Sequence, residues 1–292
     1  MKTHQTAQLA LGTVAFGLDY GISNPQGQVQ PEHVQNILEY AAKEGIDTLD
    51  TAAAYGQSEA VLGAILAEQP SAFHVVTKLP PKIEGNDVGK AIEASLSKLG
   101  LNQAKAFLAH DMESFKNPQV REGLARAKDE GRMGQYGVSV YYPDDVCWLL
   151  DNDIAFDIIQ FPLNVFDQRF SSLLPVLKSN NIETHTRSVF LQGLFFLDPA
   201  ALPAHFSPVH DRIVALNQLA ASSNIPLSAL LLNAALLHEA IDKVVIGVAS
   251  LEELRENVEA HQYIEKTKAI LEETQALALQ DEHILLPFHW RT

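Results

Sequence analysis

Apolar and polar positions alternate between two rhythms along this chain. Short apolar runs read as buried strands, and the stretches between them place apolar residues at three- and four-residue spacing, as one-faced helices do. After "LALGT", residues 31–44 carry Val34, Ile37, Leu38 and Ala41 on one helical face, and "IDTLD" follows as a strand. Ser58 stands where a cap for the helix "EAVLGAILAEQ" is expected; "HVVTK" is the next strand, and a helix over 86–98 stops at Gly100. The alternation continues through "AKAFLAH", a helix over 118–130, "YGVSV", a helix opened by Pro143, and "FDIIQF". A helix over 171–179, the strand "ETHTRSVF", a long helical region over 209–238, "DKVVIGV" and a helix over 251–261 complete the series.

Eight strands, each followed by a helical pattern, predict a (β/α)8 TIM barrel; a doubly wound sheet usually has fewer strands or a split. No Pro/Gly/Ser-rich linker divides the chain, so residues 1–292 are read as one domain with a C-terminal helical tail from about 266. That tail and the segment 194–208 exceed the short loops of such a fold, and segments of this kind commonly act as lids.

Composition narrows the setting. With 47% of 292 residues hydrophobic, the chain can bury a large core. The formal charge of −15 opposes nucleic-acid backbones and anionic membrane surfaces, so neither is expected as a partner. A single cysteine, Cys147, cannot form an internal disulfide. "MKTHQTAQLALGTV" lacks the apolar core of a signal peptide, and runs such as "SALLLNAALL" fall short of the roughly 20 residues that span a bilayer. The expectation is a soluble, cytoplasmic protein acting on a small molecule; the sequence leaves its oligomeric state open.

In a TIM barrel, chemistry gathers at the C-terminal ends of the strands. The polar residues there are Asp50, Lys78, His110, Ser139, Gln160, Arg187 and Ser188, with Tyr55 on the loop after the second strand. A buried Asp and Lys each need a partner, so Asp50 and Lys78 should meet; by itself that is a structural salt bridge. With Tyr55 and His110 beside them they form a proton-transfer set. A cation beside a phenol lowers its pKa from about 10, and such a phenol can protonate a carbonyl oxygen. Lys78 as a Schiff-base nucleophile is a rival reading on the same scaffold, and a slow, cofactor-sensing regulatory barrel is another.

Several stretches carry a family resemblance: "LALGTVAFG", "GIDTLDTAAAYGQSEAVLG", "VVTK", "FLAHD", "GRMGQYGVSVY", "IIQFPLN" and "IGVASLEELRENV" occur in order. Together they resemble the aldo-keto reductases, and "FGLDYGISN" and "RSVFLQGL" are similar to a bacterial subgroup. The resemblance implies a catalytic tetrad: Tyr55 as general acid, Lys78 depressing its pKa, Asp50 holding Lys78, and His110 orienting the substrate carbonyl. It implies carbonyl reduction or alcohol oxidation with NADP(H), bound without a Rossmann domain; where this chain departs from the family pattern, NAD(H) use is expected as well. No G-x-G-x-x-G follows a strand here, as that implies.

Position by position, the resemblance sets Gly12, Thr13, Val14 and Asp50 near the nicotinamide ribose and Ser139 and Gln160 at its carboxamide. Val140 stands where many members have Asn. Arg187 takes the place of an aromatic ring against the nicotinamide, where its planar guanidinium could stack. Ser188, Leu191 and Gly193 resemble the loop along the pyrophosphate, and Glu256 and Asn257 the pair at the adenine. Relatives that grip a 2′-phosphate show Lys and Arg where this chain has Gly247 and Glu253; Ser250 and Arg255 could compensate in part, and a relaxed cofactor preference is expected.

Other signals are set aside. His205, His210, His238, His261, His283 and His289 lack metal-ligand spacing and are read as surface or packing residues, so no metal is expected. Cys147 has no neighbouring cation to activate it. Ser188 and His185 stand three apart on one strand and face opposite sides, which argues against a hydrolase dyad. Phe16, Tyr20, Phe195, Phe196 and the "FHW" tail are candidates for a substrate lining or for ordinary packing.

Overall fold

In the computed structural model, which describes residues 6–22, 24, 27–68 and 73–290, the apolar runs form the strands of one sheet. They are β1 (Leu9–Gly12), β2 (Thr48–Asp50), β3 (His74–Lys78), β4 (Ala104–Ala109), β5 (Met133–Ser139), β6 (Ile158–Pro162), β7 (Glu183–Arg187) and β8 (Lys243–Gly247). Each pairs in parallel with the next in sequence, and β8 returns to β1, so the sheet closes into the barrel that the sequence predicts. Closure removes the sheet's edges.

Every strand is covered on both faces, which is why its residues read as near-continuous apolar runs. Val76, Ala106, Leu108 and Ile158 fill part of the barrel interior as a cluster of their own. The larger core lies between the sheet and its outer helices, such as Pro31–Lys43, Val88–Leu99 and Pro118–Asp129. The helix Val88–Leu99 ends at Gly100, whose φ of 66° is the left-handed cap conformation glycine adopts without strain.

The structure corrects four sequence-based expectations. Ser58 is not a cap: Gln57 holds that position without a side-chain bond, and the serine hydroxyl is used elsewhere. The region 209–238 is two helices, His210–Ser222 and Leu227–Leu236, because Asn224 turns left-handed (φ 52°) and caps the first, and Pro226, which lacks an N–H, stands at the start of the second. The stretch 171–179 begins as a 3₁₀ turn, Ser171–Leu173, before the helix Leu174–Ser179 with its proline in the first turn. The tail is no single helix but the short pieces Ile264–Ala269, Leu271–Gln275 and Glu282–Leu285.

The segment 194–208 is built mostly of 3₁₀ turns, among them Leu191–Phe196 and Ala204–Val209. Phe16 and Phe195 are fully buried packing residues, whereas Tyr20, Phe196 and Phe288 are exposed. Among the described residues no single helix is long and apolar enough to cross a membrane, and the bent pair of similar composition turns by 95°.

Candidate active site

The ends of β1 and β2 are fastened together before any reactive group is placed. Thr13 donates its backbone N–H (3.0 Å) and its hydroxyl (3.1 Å) to the Asp50 carbonyl. The Ser58 hydroxyl donates to the Thr13 carbonyl at 2.9 Å and lies 3.1 Å from Thr51 Oγ1. These buried hydroxyls tie the Tyr55 loop to both strand ends. Gly17 and Gly56 let the loop pass over the β1 turn: a Cβ on Gly17 would lie 1.9 Å from the Tyr55 carbonyl, and one on Gly56 would lie 2.4 Å from the Gly17 carbonyl. Gly56 also takes a positive φ of 54°.

On this frame Lys78 Nζ meets Asp50 Oδ1 at 2.6 Å, with side-chain exposures of 1% and 5%. Lys78 also donates to the Thr51 carbonyl at 3.1 Å, and Gln160 Nε2 donates to the other Asp50 oxygen at 2.7 Å. A buried pair is tolerated when its remaining hydrogen-bond capacity is filled, as here. Burial still holds the Lys78 amine below the usual lysine range, with Asp50 acting in the opposite direction.

Tyr55 stands over the pair. Lys78 Nζ lies 5.2 Å from its ring centroid, and the His110 ring meets it edge-on at 6.0 Å and 83°. Burial, foremost, and the Asp50 charge push the Tyr55 hydroxyl above its ordinary range. Burial and the Asp50 charge act against the lowering expected from Lys78, whose amine lies close to the ring. Tyr55 therefore carries its proton at neutral pH, as an acid must. His110 is pushed down to about 4 by burial and then by Lys78, so its imidazole is neutral, and its buried Nδ1 has no partner.

Around the mouth, Arg187 is not a solvent-facing charge. Its guanidinium stacks on Tyr141 at 4.1 Å and donates to the Val140 carbonyl at 3.1 Å. Tyr141, quoted within a motif but not singled out by sequence reasoning, packs edge-on against Phe288 of the tail at 5.0 Å. The signal was present: it is an aromatic residue two positions beyond the end of β5. Tyr20 lies within electrostatic reach of Tyr55, Arg187 and Tyr141. Arg169, also missed, clamps this side: it pairs with buried Asp167 at 2.8 Å, with Glu282 of the tail at 3.0 Å, and with the Tyr141 carbonyl at 3.3 Å. A cavity of about 550 Å³ between the tail and the turn Ala204–Val209 is lined by His205, Ile284, Phe288 and His289.

After β7 the backbone is bent into left-handed geometry at Ser188, Leu191, Gln192 and Gly193, with φ of 63°, 46°, 54° and 94°. Three of these residues are not glycine, and held strain of this sort marks shaped ligand loops. The Leu191 and Gly193 N–H groups close turns on Ser188 and Phe190, so both residues shape the loop from within. Gly12, Thr13 and Val14 lie at the β1 end, and Ser139 and Gln160 are buried side by side at the ends of β5 and β6.

Across the mouth, the helix Leu251–Glu259 starts with a closed capping box. Ser250 Oγ accepts the Glu253 N–H at 3.1 Å, and Glu253 Oε2 accepts the Ala249 N–H at 2.7 Å. Arg255 lies over the Tyr40 ring at 5.5 Å, Glu256 is exposed and Asn257 is buried.

Comparison with known proteins shows the family and the fold. The chain matches the model of the Aldo/keto reductase family over residues 8–278. It is 32% identical over 152 residues to an aldo-keto reductase of Mycobacterium sp. (strain KMS), a match covering 49% of this chain and 55%, about half, of that protein's length. It is 26% identical over 276 residues to L-galactose dehydrogenase of Arabidopsis thaliana, covering 86% and 85% of the two chains. The structure of aldo-keto reductase AKR11C1 from Bacillus halodurans, in its holo form, superposes with a TM-score of 0.74 at 20% identity, covering 90% of this chain and 91% of that one, which shows the shared fold.

Proposed function

The chain belongs to the aldo-keto reductase family, and we propose that it reduces an aldehyde or ketone to the alcohol, or runs the reverse, with a nicotinamide cofactor. One observation carries this reading: the Tyr55 ring meets the His110 imidazole edge-on and lies over the buried Lys78–Asp50 pair at the strand ends. Tyr55 gives its proton to the carbonyl oxygen as negative charge builds there. His110, neutral, donates a hydrogen bond that orients the carbonyl. Lys78 and Asp50 fix the floor beneath the phenol, and Lys78 supplies the positive charge that offsets phenolate once the proton has left. The plant relative's name, a dehydrogenase of L-galactose, supports the oxidative direction as well.

The cofactor fits the residues present. Gln160 Oε1 is buried without a partner and needs a donor, which a carboxamide N–H₂ would satisfy, with Ser139 beside it. When bound, the cofactor supplies or accepts the hydride. Gly12, Thr13, Val14, Arg187, Ser188, Leu191, Gly193, Asn257 and Glu256 would border its remaining length. The capping box favours NAD(H) use alongside NADP(H), since Glu253 repels a 2′-phosphate and occupies the Ala249 N–H that could bind one. A Schiff-base role for Lys78 fits less well, because its amine is engaged by Asp50 and Thr51 and is 1% exposed. The test is nicotinamide absorbance over a carbonyl panel, beside Tyr55→Phe. Full rate in the variant would defeat the mechanism.

A further inference from the structure

Among the described residues, Arg187 stands at the end of β7 without a carboxylate partner. Lys78, Lys105, Lys128, Arg169 and Lys243 all pair with carboxylates at 2.6 to 2.8 Å. Arg187 is half-buried at the end of β7, and among the described residues no carboxylate lies within 4.0 Å of it, in a chain with 36 Asp and Glu. It is nevertheless held in place, by Tyr141 under its face at 4.1 Å, the Val140 carbonyl at 3.1 Å and Ser188 Oγ at 3.5 Å. Those two hydrogen bonds leave three of a guanidinium's five N–H groups unused. It stands at the same end of the barrel as Lys78, and its charge acts on Tyr55, Lys78 and His110 alike.

We propose that Arg187 is a specificity-determining residue, and that the preferred substrate is a carbonyl compound bearing a carboxylate, an oxo acid or aldehyde acid. A preorganised guanidinium matches a carboxylate with two parallel hydrogen bonds. One guanidinium beside the reacting groups, in a protein of net charge −15, suits a monoanion better than a dianionic phosphate ester, which would need more positive charge. Since the molecule as a whole repels anions, this local charge decides which carbonyl compounds enter. The inference rests on the carbonyl-reducing reading given above.

The experiment compares aldehyde acids of increasing chain length, glyoxylate through 5-oxopentanoate, with their methyl esters, by steady-state nicotinamide absorbance. For at least one length, kcat/KM for the acid should exceed that for the ester by about tenfold or more, mainly through KM, a difference that raised ionic strength shrinks. Arg187→Gln should bring the acid-to-ester ratio close to one whatever it does to both rates, and Arg187→Lys should keep part of it. A ratio near one in the wild type, or an unchanged ratio in Arg187→Gln, overturns the inference. So does a weaker cofactor Kd in Arg187→Gln, measured by fluorescence, with the ratio intact; that outcome assigns the arginine to the cofactor. Reduction of neutral aldehydes without preference for acids sinks this inference alone, whereas no reduction of any carbonyl sinks both readings. If neither variant folds, the wild-type ratio and its salt dependence still decide.

Discussion

Replacing Asp50 by Asn should leave Lys78 in a site built for a charged pair, at a cost that depends on pH in a calculable way. The amine is 1% exposed and loses its only carboxylate, keeping the Thr51 carbonyl as an acceptor. Breaking a buried pair by removing one partner typically costs about 3–5 kcal/mol. The lysine can also shed its proton, which limits the loss. Holding neutral at pH 7 a group whose unfolded pKa is about 10.4 costs roughly 3.4 units at 1.36 kcal/mol each, about 4.6 kcal/mol. The sign follows: folding with a neutral lysine releases a proton, so the penalty falls as pH rises, to about 2 kcal/mol at pH 9. Urea unfolding of wild type and Asp50→Asn at both pH values measures this. A loss of about 4 kcal/mol at pH 7 that shrinks by half or more at pH 9 is the expected result. A loss below about 1 kcal/mol, or one independent of pH, would refute the claim that Lys78 is a desolvated cation held by Asp50. The double variant Asp50→Asn with Lys78→Met should recover much of the stability at pH 7, because no unpaired charge remains.

Gly17→Ala should push the Tyr55 loop off the β1 turn, since the new Cβ would lie 1.9 Å from the Tyr55 carbonyl; a stability loss of about 1–3 kcal/mol and at least a tenfold loss of turnover are expected, and a wild-type melting curve and rate would contradict it. Because burial raises the Tyr55 pKa, carbonyl reduction should hold its rate through neutral pH, while alcohol oxidation, which needs phenolate, should climb into the alkaline range; pH profiles of kcat in both directions check this. His110, pushed down to about 4, is protonated more readily in the unfolded chain than in the fold, so it should lower stability as pH falls from the ordinary histidine range toward 4, a trend that His110→Gln should weaken in acid-side denaturation. Glu253→Arg should free the Ala249 N–H and add a cation, lowering the NADPH Kd relative to NADH by about tenfold in a fluorescence titration.

Much of this molecule was legible in its sequence because barrel strands covered on both faces must be apolar along their length, and their ends then stand out as abrupt polar residues. Asp50, Lys78, His110, Gln160 and Arg187 were found that way, and the structure brings all of them to one mouth. Ser58 illustrates the limit: its position one residue before a helical run suits a cap, but a hydroxyl pair from Thr13 and Thr51, distant or offset in sequence, claims it. The break over 223–226 shows another, since the apolar spacing runs straight across it while Asn224 turns left-handed to cap the first helix and Pro226 stands at the start of the next.

The order of elements, the closed barrel and the family follow from local spacing and composition, which act within a few residues of chain. The acidity of Tyr55 and the role of Arg187 do not. Charge acts through space, and the field at the phenol depends on Lys78 being paired with Asp50 from the neighbouring strand, on burial, and on how far the amine stands from the ring. Likewise, Arg187 is significant because, among the described residues, no carboxylate meets it while Tyr141 stacks beneath it with the tail's Phe288 against that ring, and those neighbours are brought together only by closure of the barrel and the return of the C-terminal segment over its mouth.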